Sequence, residues 1–182
     1  VIICQVDDKL KFIEGTEKSF KCDTLLLSVG LIPSNPLLTE LGVLMHPKTK
    51  GPIVDEYLQT SVPGVFACGN SLHVHDLVDF VTNEGSICGK SVAKYLNNEL
   101  QESQYINVEN GSGIGYVLPK KVYLNDELTV KINFRVTKPY NDVKLIIKQD
   151  NKVIKEQKKA YLIPAEMESV VILKKDLKDN AN

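Results

Sequence analysis

The stretch Thr60-Ser61-Val62-Pro63-Gly64-Val65-Phe66-Ala67-Cys68-Gly69-Asn70 constrains this chain more than any other. Pro63-Gly64 is a turn pair, and the apolar run Val65–Cys68 that follows stops at Gly69. That spacing predicts a short buried strand, entered by a turn and left at a residue without a side chain. Ligands of open α/β sheets bind just beyond the carboxyl ends of strands, and at Gly69 no Cβ keeps a ligand from the backbone. Asn70 then offers an amide that both donates and accepts hydrogen bonds.

The 182 residues, 43% hydrophobic and 25% charged, are those of a soluble globular protein with one large or two small domains. No apolar run has the length of a membrane span and no signal peptide opens the chain, so a cytoplasmic protein without a membrane partner is expected. A net charge of −1 argues against a nucleic-acid partner. The chain begins at Val1, inside what reads as a strand, so a piece of a longer protein is expected. Charge is uneven: residues 1–110 carry 8 lysines against 14 acids, whereas residues 111–182 carry 14 basic residues against 9 acids. That step predicts a domain boundary near residue 110. Cys4, Cys22, Cys68 and Cys88 form no Cys-x-x-Cys pair, which points to reduced, buried thiols rather than to zinc or a disulfide.

Along the chain, Val1–Val6, Leu10–Ile13 and Ser19–Cys22 read as a β-meander with frequent turns. The nearly continuous apolar run in Asp23–Gly30 predicts a strand buried on both faces. Leu31–Pro36 is irregular because two prolines block pairing, and Leu37–Leu41 predicts a short helix ended by Gly42. Gly51–Asp55 reads as a short strand. A helix is expected from Leu77 to about Leu100, with Val81, Gly85, Cys88, Val92, Tyr95 and Leu96 in helical period. Gly85, Ser86 and Gly89 weaken such a helix in isolation, so a strand or a flat ring is expected against that end. The polar segment Glu99–Gly113 reads as a linker. Gly111-Ser112-Gly113-Ile114-Gly115 has neither a preceding strand nor a following helix, which rejects a nucleotide loop. Beyond it the pattern alternates: Val130, Ile132, Phe134 and Val136 share one face, and Val143, Leu145 and Ile147 another. A small antiparallel sandwich follows, with one arginine, no histidine and no catalytic constellation.

Thr60, Pro63, Gly64, Val65, Phe66, Ala67 and Gly69 match the second flavin-binding motif of the two-dinucleotide-domain flavoprotein oxidoreductases. Asn70 stands where that family usually has Asp. Asp23, Leu25, Leu26, Ser28, Gly30, Pro33 and Asn35 match the same family's segment at the crossing between its two dinucleotide domains. The chain therefore resembles the C-terminal part of an FAD-dependent pyridine nucleotide-disulfide oxidoreductase. The loop Cys68–Asp79 is similar to the branch described as sarcosine oxidase alpha-subunit-like, opine dehydrogenase-like or hydrogen cyanide synthase-like. The His-x-x-x-x-Glu dimerisation motif of glutathione-reductase relatives is absent.

The resemblance implies an α/β plus all-β architecture: the end of a pyridine-nucleotide domain over 1–30, the C-terminal part of an FAD-binding domain over 31–104, a linker over 105–114 and a small β-sandwich-like domain over 115–182. It implies FAD in the full-length protein, with NAD(P) as a second cofactor, and flavin contacts from Gly30, Pro33, Gly69, Asn70, Val81, Thr82 and Gly85. The helix beginning near Val81–Thr82 would point its N-terminus at the pyrimidine side of the ring, where reduced flavin develops negative charge. The implied enzyme oxidises an amine or similar small molecule together with a second redox subunit. The fragment alone is expected to be inactive, to hold no cofactor firmly and to self-associate. His73 and His75 are the candidate catalytic residues, either for acid–base work or substrate orientation, or else for hydrogen bonds that shape their loop. No third ligand has a spacing that would make them a metal site, so none is assigned. The alternative reading is a non-catalytic docking fragment with a vestigial flavin motif.

Overall fold

The computed structural model describes residues 1–7, 9–100, 104–125 and 127–177. They fall into two compact units that divide after Leu31.

In the first unit, β1 (Ile2–Ile3) pairs antiparallel with β2 (Lys18–Ser19), Ile2 opposite Ser19. Between them Val6 bridges Phe12, and the Asp7 carboxylate closes the turn by accepting from the backbone N–H groups of Lys9 and Lys11. The meander is thus a short hairpin rather than three strands. Leu25–Val29 differs most from expectation: it forms no strand, and Leu26 is 89% exposed. A strand buried on both faces needs a neighbour on each side, and none pairs with this run among the described residues.

The second unit begins with α1 (Pro36–Glu40), which has proline at its first position and ends at Gly42, φ +74°. Helix α2 spans Val78–Leu96. Seven strands follow: β3 (Tyr105–Asn107), β4 (Ile114–Leu118), β5 (Lys121–Tyr123), β6 (Thr129–Val136), β7 (Tyr140–Gln149), β8 (Lys152–Leu162) and β9 (Glu168–Leu173). Their order is β4-β6-β9 in one sheet, with β7-β8 a hairpin and β3-β5 a separate pair, all antiparallel. The segment expected as a linker over 105–114 therefore contains β3, whose Tyr105–Asn107 pairs with Tyr123–Lys121. Gln101–Ser103 of the expected linker lie outside the described residues.

The period of two in β6 works as the sequence suggests. Val130, Ile132, Phe134 and Val136 turn to one face and meet Val170 and Ile172 of β9 and the inner residues of the β7–β8 hairpin. Each large aliphatic or aromatic side chain so buried contributes about 1.5–3 kcal/mol. The other face is covered only in part, since Thr129 and Lys131 of β6 and Val171 of β9 are exposed. Tyr116 and Leu118 of β4 pack there on Val54, Ala67 and Leu72. The β-strands and the segment 32–100 consequently share a core, instead of forming the two domains expected on either side of a linker. A parallel bridge Asp55↔Lys121 and a buried pair between Lys174 and Glu56 join them further.

Val65–Cys68 is not a strand of a parallel sheet. Gly64 turns the chain at φ +78°, Phe66 bridges Gln59, and the Ala67 N–H donates to the Leu58 carbonyl. The run folds back on its own approach because the described residues offer it no parallel neighbour. Among them, no helix is long and apolar enough to cross a membrane.

Candidate functional site

Past Cys68 the backbone makes a single 3-10 turn, Gly69–Ser71, with Gly69 at φ +64°. A Cβ there would lie 3.3 Å from Val81 Cγ1 of α2, so the turn sits directly against the helix. From behind, Asn35 Nδ2 donates to the Ser71 carbonyl at 2.9 Å and the Ser71 hydroxyl donates to Asn35 Oδ1. The two motif segments that the sequence spaces 36 residues apart thus meet in one hydrogen-bonded junction. Asn70 is exposed, and its Oδ1 accepts the His75 N–H at 3.1 Å.

Beneath the turn lies a buried carboxylate. Glu84, on the inner face of α2, accepts the Gly69 N–H at 2.6 Å on Oε2, His75 Nε2 at 2.9 Å on the same oxygen, and His73 Nε2 at 2.9 Å on Oε1. The His73 and His75 side chains are 1% and 2% exposed, and their rings stand 4.4 Å apart. Burial alone would raise the Glu84 carboxyl, but the hydrogen bond and charge of His73, then those of His75, outweigh it and hold it below its ordinary value. His73 and His75 are two residues apart, a spacing that puts both side chains on one face of a near-extended chain, and both rings meet one carboxylate.

The C-terminal strands complete the site. The Tyr116 hydroxyl lies 3.3 Å from His73 Nδ1 and accepts Arg135 Nε at 3.2 Å. Arg135 also donates to the carbonyls of Val74, Pro164 and Ala165 and pairs with Asp76. Asp76 in turn accepts the Met167 N–H. The chain's one arginine, in strands where the sequence shows no catalytic constellation, therefore clamps the histidine loop. Tyr116 and Arg135 are directly cross-strand, a placement set by the irregularity between Ile114 and Tyr116 in β4.

Among the other sequence candidates, Gly30 is exposed with nothing within 4 Å of a Cβ, and Pro33 is half-buried. Thr82 is exposed on α2, its hydroxyl bonded back to the Val78 carbonyl. Gly85 and Gly89 have nothing within 4 Å of a Cβ, so neither the strand nor the ring expected against them comes from the described residues. The N-terminus of α2 has no side-chain cap at Leu77 and carries Asp79 in its first turn. Cys68 and Cys88 are free thiols, and burial followed by the neighbouring Cys68 pushes Cys88 up to about 12, far from reactive. Glu84, Tyr116 and Arg135 were not legible as site residues. Only the helical placement of Glu84, three residues beyond Val81, hints at the face it shares.

Residues 2–85 match the pyridine nucleotide-disulphide oxidoreductase family. The chain is 33% identical over 94 residues to a thioredoxin reductase of Listeria monocytogenes, covering 50% of this chain and 28% of that protein. It is 33% identical over 81 residues to a mitochondrial dihydrolipoyl dehydrogenase of Caenorhabditis elegans, 44% of this chain and 16% of the relative. A Mycobacterium tuberculosis glutamate synthase [NADPH] small chain is 31% identical over 96 residues, 52% of this chain and 20% of the relative. The chain thus spans less than a third of each of these proteins. No solved structure matches it.

Proposed function

We propose that this chain forms the flavin-side end of an FAD-dependent, NAD(P)-linked oxidoreductase that oxidises an amine or similar small molecule with the help of a second redox subunit. The match of residues 2–85 supports the redox family. The amine branch rests on the likeness of the loop Cys68–Asp79 alone. The observation that carries the reading is the turn at Gly69, whose positive φ and bare Cα bring the chain against Val81 of α2 and set exposed Asn70 beside that helix, while Glu84 holds the Gly69 N–H from below.

The residues present fit the ribityl and ring end of FAD and not the ADP end. Asn70 Oδ1 is occupied by the His75 N–H, which leaves Nδ2 to donate to a phosphate or ribityl oxygen. Val81, Thr82 and Gly85 line the adjoining helix face, whose uncapped N–H groups favour negative charge. Gly30 and Pro33 are assigned to the cofactor by the motif match alone. A Gly-x-Gly-x-x-Gly turn for the pyrophosphate does not occur in the sequence. The flavin, when bound, would accept the electrons of the substrate and exchange them with the nicotinamide. His73 and His75 hold the turn's geometry: each Nε2 is committed to Glu84, which favours the loop-shaping role over acid–base work.

The chain alone is expected neither to hold FAD firmly nor to turn over. Titration of the purified chain with FAD, followed by flavin fluorescence, should show no saturable binding in the micromolar range. Tight binding by a monomer would mean that Asn70 and α2 form a complete site. In the holoprotein, Asn70→Leu should lower the flavin content read from visible absorption; unchanged content overturns the assignment of Asn70.

A further inference from the structure

The cluster beneath the Gly69 turn sets one buried carboxylate between two buried imidazoles. Glu84 is nine-tenths buried, and among the described residues its only ion-pair partners are the two imidazoles, which are charged only when protonated. A buried carboxylate without a cation is costly unless a protonated base or a metal ion neutralises it. One ligand atom from each of His73, His75 and Glu84 lies within 4.8 Å of the others.

We propose that His73, His75 and Glu84 form a divalent transition-metal site of the two-histidine, one-carboxylate type, matched to Zn²⁺. The proposal does not depend on flavin binding. Tetrahedral zinc with Zn–N and Zn–O bonds of about 2.0–2.1 Å places its ligand atoms roughly 3.3 Å apart. His73 Nε2 stands 2.9 Å from Glu84 Oε1 and His75 Nε2 2.9 Å from Oε2, and with one ligand atom of each residue within 4.8 Å of the others, side-chain shifts of up to about 1.5 Å bring the three to tetrahedral spacing.

The protons have somewhere to go. Zinc on Nε2 requires each neutral ring to carry its proton on Nδ1. For His73, Nδ1 faces the Tyr116 hydroxyl, whose oxygen has two lone pairs and accepts from Arg135 through one of them. That is the outer contact that orients metal-bound histidines. For His75, Nδ1 is buried and has no hydrogen-bond partner, so a proton there stays unpaired, and the Nε2–Glu84 hydrogen bond gives way to the bond to the metal. Glu84 retains the Gly69 N–H, which keeps the carboxylate oriented. The fourth position opens to a cleft of about 290 Å³ that His75 and Glu84 line together with Phe80, Asn83 and Met167. Three protein ligands with one open position is the pattern of zinc sites that hold water or a small ligand.

The test uses the whole chain, free of flavin and stripped of metal by chelation. Co²⁺ is added while visible absorption is followed, and Zn²⁺ is added while imidazole ¹⁵N resonances are recorded, with Mg²⁺ as the control. Intense d–d bands that saturate at one equivalent are expected, with resonances of two of the three histidines shifting under Zn²⁺ and none under Mg²⁺. His46→Asn identifies the third histidine by elimination. Glu84→Gln and His75→Asn should abolish the bands, and Tyr116→Phe should weaken binding about 10-fold or more. Absence of bands with unshifted His73 and His75 resonances overturns the proposal, as does undiminished binding in His75→Asn. Should either variant fail to fold by circular dichroism, the histidine shifts of the unmodified chain decide the question.

Discussion

A Cβ on Gly51 would stand 1.7 Å from the Leu72 carbonyl oxygen and 2.6 Å from its carbon. Both partners are backbone, so no side chain can swing aside. Gly51 also precedes the strand-like run that frames the second core, and Leu72 is fully buried in that core. Gly51→Ala must therefore separate two chain segments that the Asn35–Ser71 bonds hold together. A loss of about 3 kcal/mol or more is expected from such a backbone clash. Urea denaturation measures it, and a variant within about 0.5 kcal/mol of the parent would show that the crossing is looser than described. Nothing in the sequence distinguishes Gly51 from Gly85 or Gly89, around which a Cβ meets open space. A glycine's neighbours across the chain are a property of the fold.

At the scale of elements, the short 3-10 turn Lys174–Asp176 after β9 anchors the end of the β-strands on the segment 32–100. Lys174 is 3% exposed and Glu56 4%, with Nζ 2.8 Å from the carboxylate and 2.6 Å from Asn125 Oδ1. Burial raises the Glu56 carboxyl, and the Lys174 bond only partly opposes it. Lys174→Met removes the partner and leaves the carboxylate buried, a change that costs about 3–5 kcal/mol in comparable pairs. Glu56 then favours its protonated form in the folded state, so the folded protein binds more protons than the unfolded one. Stability lost at neutral pH should return as pH falls toward the unfolded value near 4.5. Urea midpoints at pH 7.5 and 5.0 provide the comparison: a penalty that does not shrink at pH 5.0 would rule out Glu56 as its source.

For the whole molecule, the exposed apolar run Leu25–Val29 matters most. Contiguous apolar surface and unpaired backbone favour pairing with another chain. The isolated protein is expected to self-associate through it, and Leu26→Lys with Val29→Lys should return it to a monomer. Light scattering over a range of concentrations gives the mass directly. A parent protein that stays monomeric throughout, or variants that associate as strongly, would place the contact elsewhere or nowhere.

The local pattern was enough to mark the turn at Pro63-Gly64, the end of the apolar run at Gly69, the alternating faces of β6 and a helix from Leu77 to about Leu100, which forms over Val78–Leu96. These features depend on neighbours a few residues apart, where glycine, proline and the period of apolar positions decide conformation. The site's substance was not legible there, because Glu84, Tyr116 and Arg135 come from a helix and two strands that converge only on folding. The same holds for the shared core: the apolar run of β4 calls for burial, but does not show that Tyr116 and Leu118 find Val54 and Leu72. Val65–Cys68 shows the converse limit. An apolar run specifies burial, whereas its partner strand is chosen by what the rest of the chain places beside it, and here that is its own approach, Leu58–Thr60.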